Sequence, residues 1–503
     1  MLPNQPLPEI HPNALDWRWL LAASMLVSLW LVAIDPIINR DAILYLRAAE
    51  AYLEQGLLAS QALHGRPLLS ICIGVLHQFT GLPLLVCGLL LNAAFYAVLV
   101  LACVSTVRAL GGDRKTQLFA AGLILFHPII NEYRSSIMRD PAYWALLMVA
   151  VRELVLYLRE PSLRHGLIWY LAIAAAAVFR FEGVLLALLL PAAVFASSSH
   201  PRRLQHSLAL LAPVVAVSAL AGWLMTRTGS SAVMFPALDY YLGQLADLGD
   251  DLAIIKEQTG QAMLRFTARD DAGVAVFAGL AATLLLNICR AVTWPLMALW
   301  LWGLVSGLIK PIDQRFRRLL WWHLLIAFAY LALFLISNRF VLERYSSVIT
   351  LFVLLHLSFM LSVLWQRARG GWVRVALIVL LTGLAVDTLH NNDYRKAYIR
   401  DAKQWLEANT PSDASLASNE MYIAYFSGRA YDWTYYEAHD YRVRDLLRRP
   451  ELWQGRDYLV MVVKPGELNS WRQFVEQTGR DEVAAFEGDS GTSVRVLLLS
   501  APN

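Results

Sequence analysis

Five polar stretches in an otherwise apolar chain carry the side chains able to do chemistry. The first reads Asn39-Arg40-Asp41, with Tyr45 one helical turn further on; the second is His64-Gly65-Arg66-Pro67. The third, Phe126 to Pro141, holds Glu132, Arg134, Arg139 and Asp140; the fourth is Arg180-Phe181-Glu182-Gly183, and the fifth carries Arg339, Arg344 and Tyr345. A positioned carboxylate moves protons, and a guanidinium matches a phosphate or carboxylate with parallel hydrogen bonds. Ordinary structural work suits the same residues. Asp41 ahead of a helical pattern, and Asp140 followed by Pro141, read equally as helix starts, with Asp as the cap and Pro in the first turn.

The elements that must position these groups are membrane helices. Only 16% of the 503 residues are charged and 57% are apolar, against about 25% and about 45–50% in a soluble domain. The apolar residues gather in blocks, many near the ~20 residues that cross about 30 Å of hydrocarbon. They run from Trp17 to Ile34, Leu84 to Val107, Thr116 to Ile130, Ala142 to Leu158, Gly166 to Phe179, Val184 to Ala196, Leu204 to Thr226, Leu319 to Ser337, Val348 to Trp365 and Val373 to Leu389. The first lacks a clear cleavage site and reads as a span. As one helix, Val274 to Ile309 would be roughly 54 Å long. Arg290 and Trp294-Pro295 divide it into a membrane-surface helix followed by one span, or into three spans if more of it re-enters.

One set of short loops carries Arg108, Arg114, Lys115, Arg159, Arg164, Arg202, Arg203, Lys310, Arg315, Arg317, Arg318, Arg367, Arg369 and Arg374 against only Asp113, Glu160 and Asp313. The positive-inside rule places that set in the cytoplasm. The five chemical stretches then fall on the opposite face. This topology has about 11 spans (11–13), an inner N-terminus and an outer C-terminus. After Leu389 the composition becomes that of a small soluble α/β domain, with a helix near Asp401 to Ala408 and strands near Tyr458 to Val463 and Ser493 to Leu499. A net charge of +4 implies no nucleic-acid surface. The four cysteines have no metal spacing.

Charges close to membrane depth are functional candidates by default, with interfacial snorkelling and salt bridging as the alternative. Ala42 to Leu58 has Ile43, Leu46, Ala49, Leu53 and Leu57 on one stripe, the pattern of an amphipathic helix lying on the membrane. The loop 227–272, with Tyr240, Tyr241, Lys256 and Arg265, reads as a lid or as a surface helix over Asp250 to Arg265. The aromatic run Tyr422, Tyr425, Tyr431, Trp433, Tyr435 and Tyr436 suits sugar stacking or a domain core. His323 and His356, inside spans, read as packed side chains.

One span, an outer loop with Asp41-x3-Tyr45, Ala48-Ala49 and Gly56, then Arg66-Pro67-Leu68, a short helix to Gly81, a long span, a basic turn and a loop ending in Asp140 together resemble the GT-C glycosyltransferases. Arg180-Phe181-Glu182-Gly183 and the late Arg344-Tyr345 are similar to the branch of protein O-mannosyltransferases and aminoarabinose transferases, of the bacterial family 39 or 83 type. The resemblance implies a GT-C transmembrane catalytic domain over 1–393, with outer loops 35–83 and 227–272, and a periplasmic α/β domain over 394–503. It implies a multi-pass protein of the bacterial cytoplasmic membrane. Its implied reaction is inverting transfer of a sugar from a polyprenyl-phosphate donor to a lipid, glycan or protein acceptor at the outer face, among membrane lipids. Asp41 matches the acidic position of the first loop and is implied as the base, with Asp140 as a second acid. Arg66, Arg180, Arg339 and Arg344 are implied to hold the donor phosphate, and Tyr45, His64, Glu132, Arg134, Arg139, Glu182 and Tyr345 to contact substrate. No cofactor is implied; Asp41, His64, Glu132 and Asp140 include metal-binding types, but no ligand spacing demands a metal. Arg40 and Ala42 flank Asp41, where many relatives have paired acids, and Pro67 stands where they have two prolines. The competing class is a transporter or flippase of a lipid-linked saccharide. Its mid-membrane charges and repeat symmetry fit less well with charges gathered on outer loops.

Overall fold

In hydrocarbon only a helix or a closed barrel satisfies its own backbone polar groups, and the apolar blocks fold as helices. The structure, a computed structural model, describes residues 10–35, 37–228, 243–244, 246–309, 311–368, 370–390, 397–427, 441–488 and 491–499. The chain passes through α1 (Trp17–Ile34), α2 (Arg40–Gln55), α3 (Leu57–Leu63), α4 (Leu68–Thr80), α5 (Leu84–Ala109), α6 (Arg114–Leu125), α7 (Pro128–Asn131), α8 (Arg139–Arg159), α9 (Leu163–Phe179), α10 (Glu182–Ser197) and α11 (Arg203–Thr228). It continues through α12 (Leu248–Met263), α13 (Ala272–Val292), α14 (Trp294–Val305), α15 (Gln314–Asn338), α16 (Glu343–Arg367) and α17 (Gly371–Leu389). Among the described residues seven segments are long and apolar enough to cross a membrane: α1, α5, α8, α13 with the 3-10 turn before it, α15, α16 and α17. Apolar but shorter are α4, α9, α10, α14 and the start of α11. This is a multi-span membrane protein.

Two compact units form. Unit 1 comprises the residues up to Leu29, Leu89–Arg134 and Met138–Leu389; unit 2 comprises Trp30–Gly88, Ser135–Ile137 and the residues from His390 on.

In unit 1, α16 is buried without interruption from Ser346 to Ser362, so it forms the core and its neighbours take the outer positions. At Gly303 of α14 a Cβ would lie 2.5 Å from Met360 Sδ; glycine permits that close approach. Two blocks depart from expectation. The one expected to reach Ile130 stops at Leu125, because His127 is extended and Pro128 has no N–H for the helical ladder. The break between 272 and 309 falls at Thr293, whose φ is 69°, just ahead of Trp294-Pro295. Of the two pieces, α13 has the length of a span while α14 has 12 residues, the reverse of the expected order. In the loop 227–272, α12 covers Leu248–Met263, and Lys256 and Arg265 are exposed; Tyr240 and Tyr241 lie outside the described residues.

In unit 2, α2 buries Ala42, Ile43, Tyr45, Leu46, Ala48 and Ala49. It ends one residue before Gly56, whose φ of 88° only glycine takes without strain. Leu57, expected to end the apolar stripe of one helix, therefore starts α3 and is exposed. The tail forms α18 (Ala397–Asn409), β1 (Leu416–Ser418), α19 (Met421–Ser427), β2 (Tyr458–Val463), α20 (Leu468–Thr478), β3 (Glu482–Glu487) and β4 (Ser493–Leu498). The sheet order is β1-β2-β4-β3, with β1 parallel to β2 and the other pairs antiparallel. Trp471 and Phe474 of α20 close its core over Leu459, Met461 and Leu497. The first-loop helices group with this tail rather than with the membrane helices: Arg40 Nε lies 3.6 Å from Glu420 Oε1. Tyr431, Trp433, Tyr435 and Tyr436 lie outside the described residues.

Candidate functional site

In unit 1, the starts of α8 and α16, the α9–α10 turn and a tyrosine of α15 bring charged groups to one apolar cleft. The N-cap of α8 is Met138, and Asp140 occupies the second helical position. Asp140 is thus not the expected cap; its carboxylate accepts from Arg180 Nη1 and is 5% exposed. Arg180 follows α9 with an extended backbone. Its Nε and Nη2 donate to Glu182 Oε1 at 2.8 and 2.5 Å. The α9–α10 turn is close: a Cβ at Gly183 would lie 2.6 Å from the Ala177 backbone N and Cα, so glycine lets α10 start where Glu182 meets Arg180.

Extended Leu342 caps α16 and sets Arg344 and Tyr345 in its first turn. The Arg180 and Arg344 guanidinium carbons lie 4.7 and 5.2 Å from the Tyr345 ring centre, within cation–π range. Arg344 Nη2 donates to the Tyr345 hydroxyl at 3.4 Å, and Tyr330 lines the same cleft as Glu182. Arg180, Glu182, Tyr330, Arg344 and Tyr345 line a small cleft together with Leu185, Leu186, Ile326, Leu331, Val348 and the rings of Tyr143 and Trp144. Arg180 is already engaged by two carboxylates, which fixes its position strongly in a low-dielectric setting.

In unit 2, Asp41 also occupies a second helical position. The N-cap of α2 is Asn39, whose side chain is diverted: Nδ2 donates to Ile137 O at 3.3 Å and Ile137 N donates to Oδ1 at 3.0 Å. Asp41 is half-buried. Tyr45, one turn on and buried, meets the His64 ring edge-on at 5.2 Å; Arg66, half-buried, follows in the turn before α4. Burial, then Glu420, pushes the phenol of Tyr422 of α19 well above the ordinary value.

Four expected site residues lie outside the cleft lining. Arg134 is 1% exposed and braces the helices around it: Nε donates to Asn131 Oδ1 at 2.5 Å, and Nη1 to Ser24 O, Ser24 Oγ and Ser28 Oγ at 2.9, 3.1 and 2.7 Å. A buried cation needs such acceptors, so its expected substrate role gives way to packing. Arg339 ends α15 with φ 61° and donates from Nη2 to half-exposed Asp251 at 2.5 Å, away from the cleft lining. Glu132 is exposed, Arg139 half-buried, and neither lines the cleft. Tyr143, Trp144 and Tyr330 were missed; the first two carry a signal, standing three and four residues after Asp140 on the same helical face. Among the described residues no three His, Cys, Asp or Glu side chains gather as metal ligands.

No family model and no curated protein matches the sequence. Solved structures do. The Archaeoglobus fulgidus oligosaccharyltransferase tethered with an acceptor peptide is similar at TM-score 0.50 and 12% identity, over 95% of this chain and 74% of that one. Arabinofuranosyltransferase AftD from Mycobacteria is similar at 0.48 and 17%, over 98% of this chain, which spans 42% of that protein. ArnT from Cupriavidus metallidurans, bound to undecaprenyl phosphate, is similar at 0.39 and 13%, over 98% of this chain and 100% of that one. The fold follows from the first of these: the chain has the GT-C fold, with a small C-terminal sheet.

Proposed function

We propose that this chain transfers a sugar from a polyprenyl-phosphate carrier to an acceptor at the outer face of the bacterial cytoplasmic membrane, with its basic turns inside and its tail in the periplasm. The observation that carries the reading is the unit 1 cleft, in which apolar walls suit isoprene units and an arginine edge suits their phosphate. The GT-C fold supports the same class of chemistry. Arg344 and Arg180 share the phosphate charge, and Tyr330 offers a ring face to the sugar. Asp140 then serves to fix Arg180.

Asp41 is the base of this reading. The acceptor oxygen attacks the anomeric carbon, the bond to the carrier phosphate breaks with its electron pair on the phosphate, and the acceptor proton passes to the Asp41 carboxylate.

The test is to incubate the purified full chain in lipid nanodiscs with a panel of undecaprenyl-phosphate sugars and candidate acceptors, following free carrier. At least one sugar releases carrier, and Arg344→Ala raises the donor concentration required by about tenfold or more. Movement of lipid-linked sugar across vesicles, with no carrier released from any panel member, would point to a transporter instead.

A further inference from the structure

A helix begins with four backbone N–H groups that lack partners within it, and the side chain at the cap position normally takes one of them. Asn39 holds that position at α2 and makes no capping bond. Its amide serves the backbone of one distant residue instead: Nδ2 donates to Ile137 O at 3.3 Å, and Ile137 N donates to Oδ1 at 3.0 Å. An amide offers a donor and an acceptor on neighbouring atoms. Among the other favoured caps, a serine hydroxyl places both functions on one atom and an ionised aspartate has no donor.

This clasp is rooted on both sides. On the α2 side, the Asn39 carbonyl accepts from the Ala42 N–H at 3.0 Å, which closes the first turn over Arg40 and Asp41. Ile37 and Ile38, just before it, are buried. Four residues before Asn39, Asp35 Oδ2 accepts from Ser135 Oγ at 3.0 Å, so one three-residue segment, Ser135–Ile137, holds the linker between α1 and α2 at its two ends. On the other side, Ile137 is fully buried, and a Cβ at Gly88 would lie 2.6 Å from its Cδ1; the isoleucine occupies space that only glycine leaves open. The chain enters the segment from Arg134, which is fixed by its bonds to Asn131, Ser24 and Ser28. It leaves at Met138, the cap of α8, two residues before Asp140.

We propose that Asn39 is a positioning residue: by holding both backbone polar groups of Ile137 it fixes the first turn of α2 on the segment Ser135–Ile137, and so sets how the Asp41 carboxylate is presented. This rests on the reading of Asp41 as the base. Asn39 touches no substrate in this account; its effect passes through the helix start. A residue that only stabilised the end of the helix would be replaced without loss by serine, which is among the preferred caps.

The test uses the full chain in nanodiscs, with Asn39→Ser, Asn39→Asp and, as a milder cut at the other end of the linker, Ser135→Ala. Hydrogen exchange is read on the peptide 133–140, with the β2 peptide as a check that the tail stays folded. Carrier release is read with the undecaprenyl-phosphate sugar that the wild type uses. In Asn39→Ser the Ile137 N–H loses its acceptor while the helix keeps a good cap; exchange in 133–140 rises about tenfold and kcat falls about tenfold, with KM for the donor unchanged. Asn39→Asp sets a carboxylate against Ile137 O and also lowers kcat, and it decides in the same way should Asn39→Ser not fold. Ser135→Ala lowers kcat about threefold. In an Asp41→Asn background, Asn39→Ser has little further effect, because the two act as one unit. Wild-type kcat in Asn39→Ser would overturn the proposal even if exchange rises, since the clasp would then serve stability alone. Unchanged exchange would overturn it too, as would a full additional loss in the Asp41→Asn background. Wild-type turnover by Asp41→Asn alone would remove the base; the exchange arm still decides whether Asn39 holds Ile137.

Discussion

Two helices begin with the same pair of residues, Arg40-Asp41 in α2 and Arg139-Asp140 in α8, yet their carboxylates meet different surroundings. Both aspartates sit at the second helical position, where the helix dipole favours a negative charge, and in both helices the preceding residue, Asn39 or Met138, holds the cap position without a side-chain capping bond. The difference comes from distant segments. Arg180 reaches Asp140 and buries it in an ion pair with 7% of its side chain exposed. At α2 the group arriving from the tail is an acid, Glu420, which pairs with Arg40. Identical local sequence thus yields a carboxylate fixed by a buried arginine in one helix and a half-buried carboxylate in the other. Local pattern fixes the place of an acid on a helix, while long-range packing sets its surroundings.

The sharpest way to break this contrast is Arg180→Ala. It leaves Asp140 and Glu182 buried with no cation between them, and unfolding stability should fall by about 3–5 kcal/mol. Adding Glu182→Gln should recover part of the loss. A thermal unfolding curve for Arg180→Ala that overlays the wild type would show that the pair does not hold the cleft together. Smaller, and purely steric, is Gly183→Ala: the new methyl meets Ala177 backbone at 2.6 Å, and the expected cost is about 1–3 kcal/mol. If the same thermal measurement finds the alanine variant as stable as the parent, the turn has room that the geometry denies. The smallest effect belongs to Arg339→Ala, whose pair with Asp251 has both side chains about half exposed (48% and 49%). Its denaturant midpoint should move by no more than corresponds to about 0.5 kcal/mol, and a shift as large as that for Arg180→Ala would contradict the distinction between buried and exposed pairs.

Much of the architecture was legible because hydrophobic pattern and turn residues act locally. The helix Trp17–Ile34 and the strand Tyr458–Val463 have the bounds that the pattern predicts, and Trp294-Pro295 marks a real break. The block expected to run through to Ile130 misled because its apolar content outweighed a visible breaker, Pro128. The pairings were the hard part. Arg134 looks like a substrate contact until Ser24 and Ser28, more than 100 residues earlier, are seen to surround it. Tyr330 is one aromatic among many in an apolar helix, and no spacing ties it to Glu182. Capping by Asp41 and Asp140 was a sound local expectation, yet the residues before the helices took that position. Glycine at 183 is visible in sequence, but its reason, the approach of Ala177, exists only in the fold.

The central claim is that Asp41 does proton work while Asp140 does positional work. It is tested most directly by measuring carrier release from an undecaprenyl-phosphate sugar and thermal unfolding, side by side, for Asp41→Asn and Asp140→Asn. The account predicts that Asp41→Asn unfolds like the wild type and loses about 10²–10⁴-fold in turnover, whereas Asp140→Asn unfolds at a clearly lower temperature. Near-normal turnover by a folded Asp41→Asn protein would contradict it.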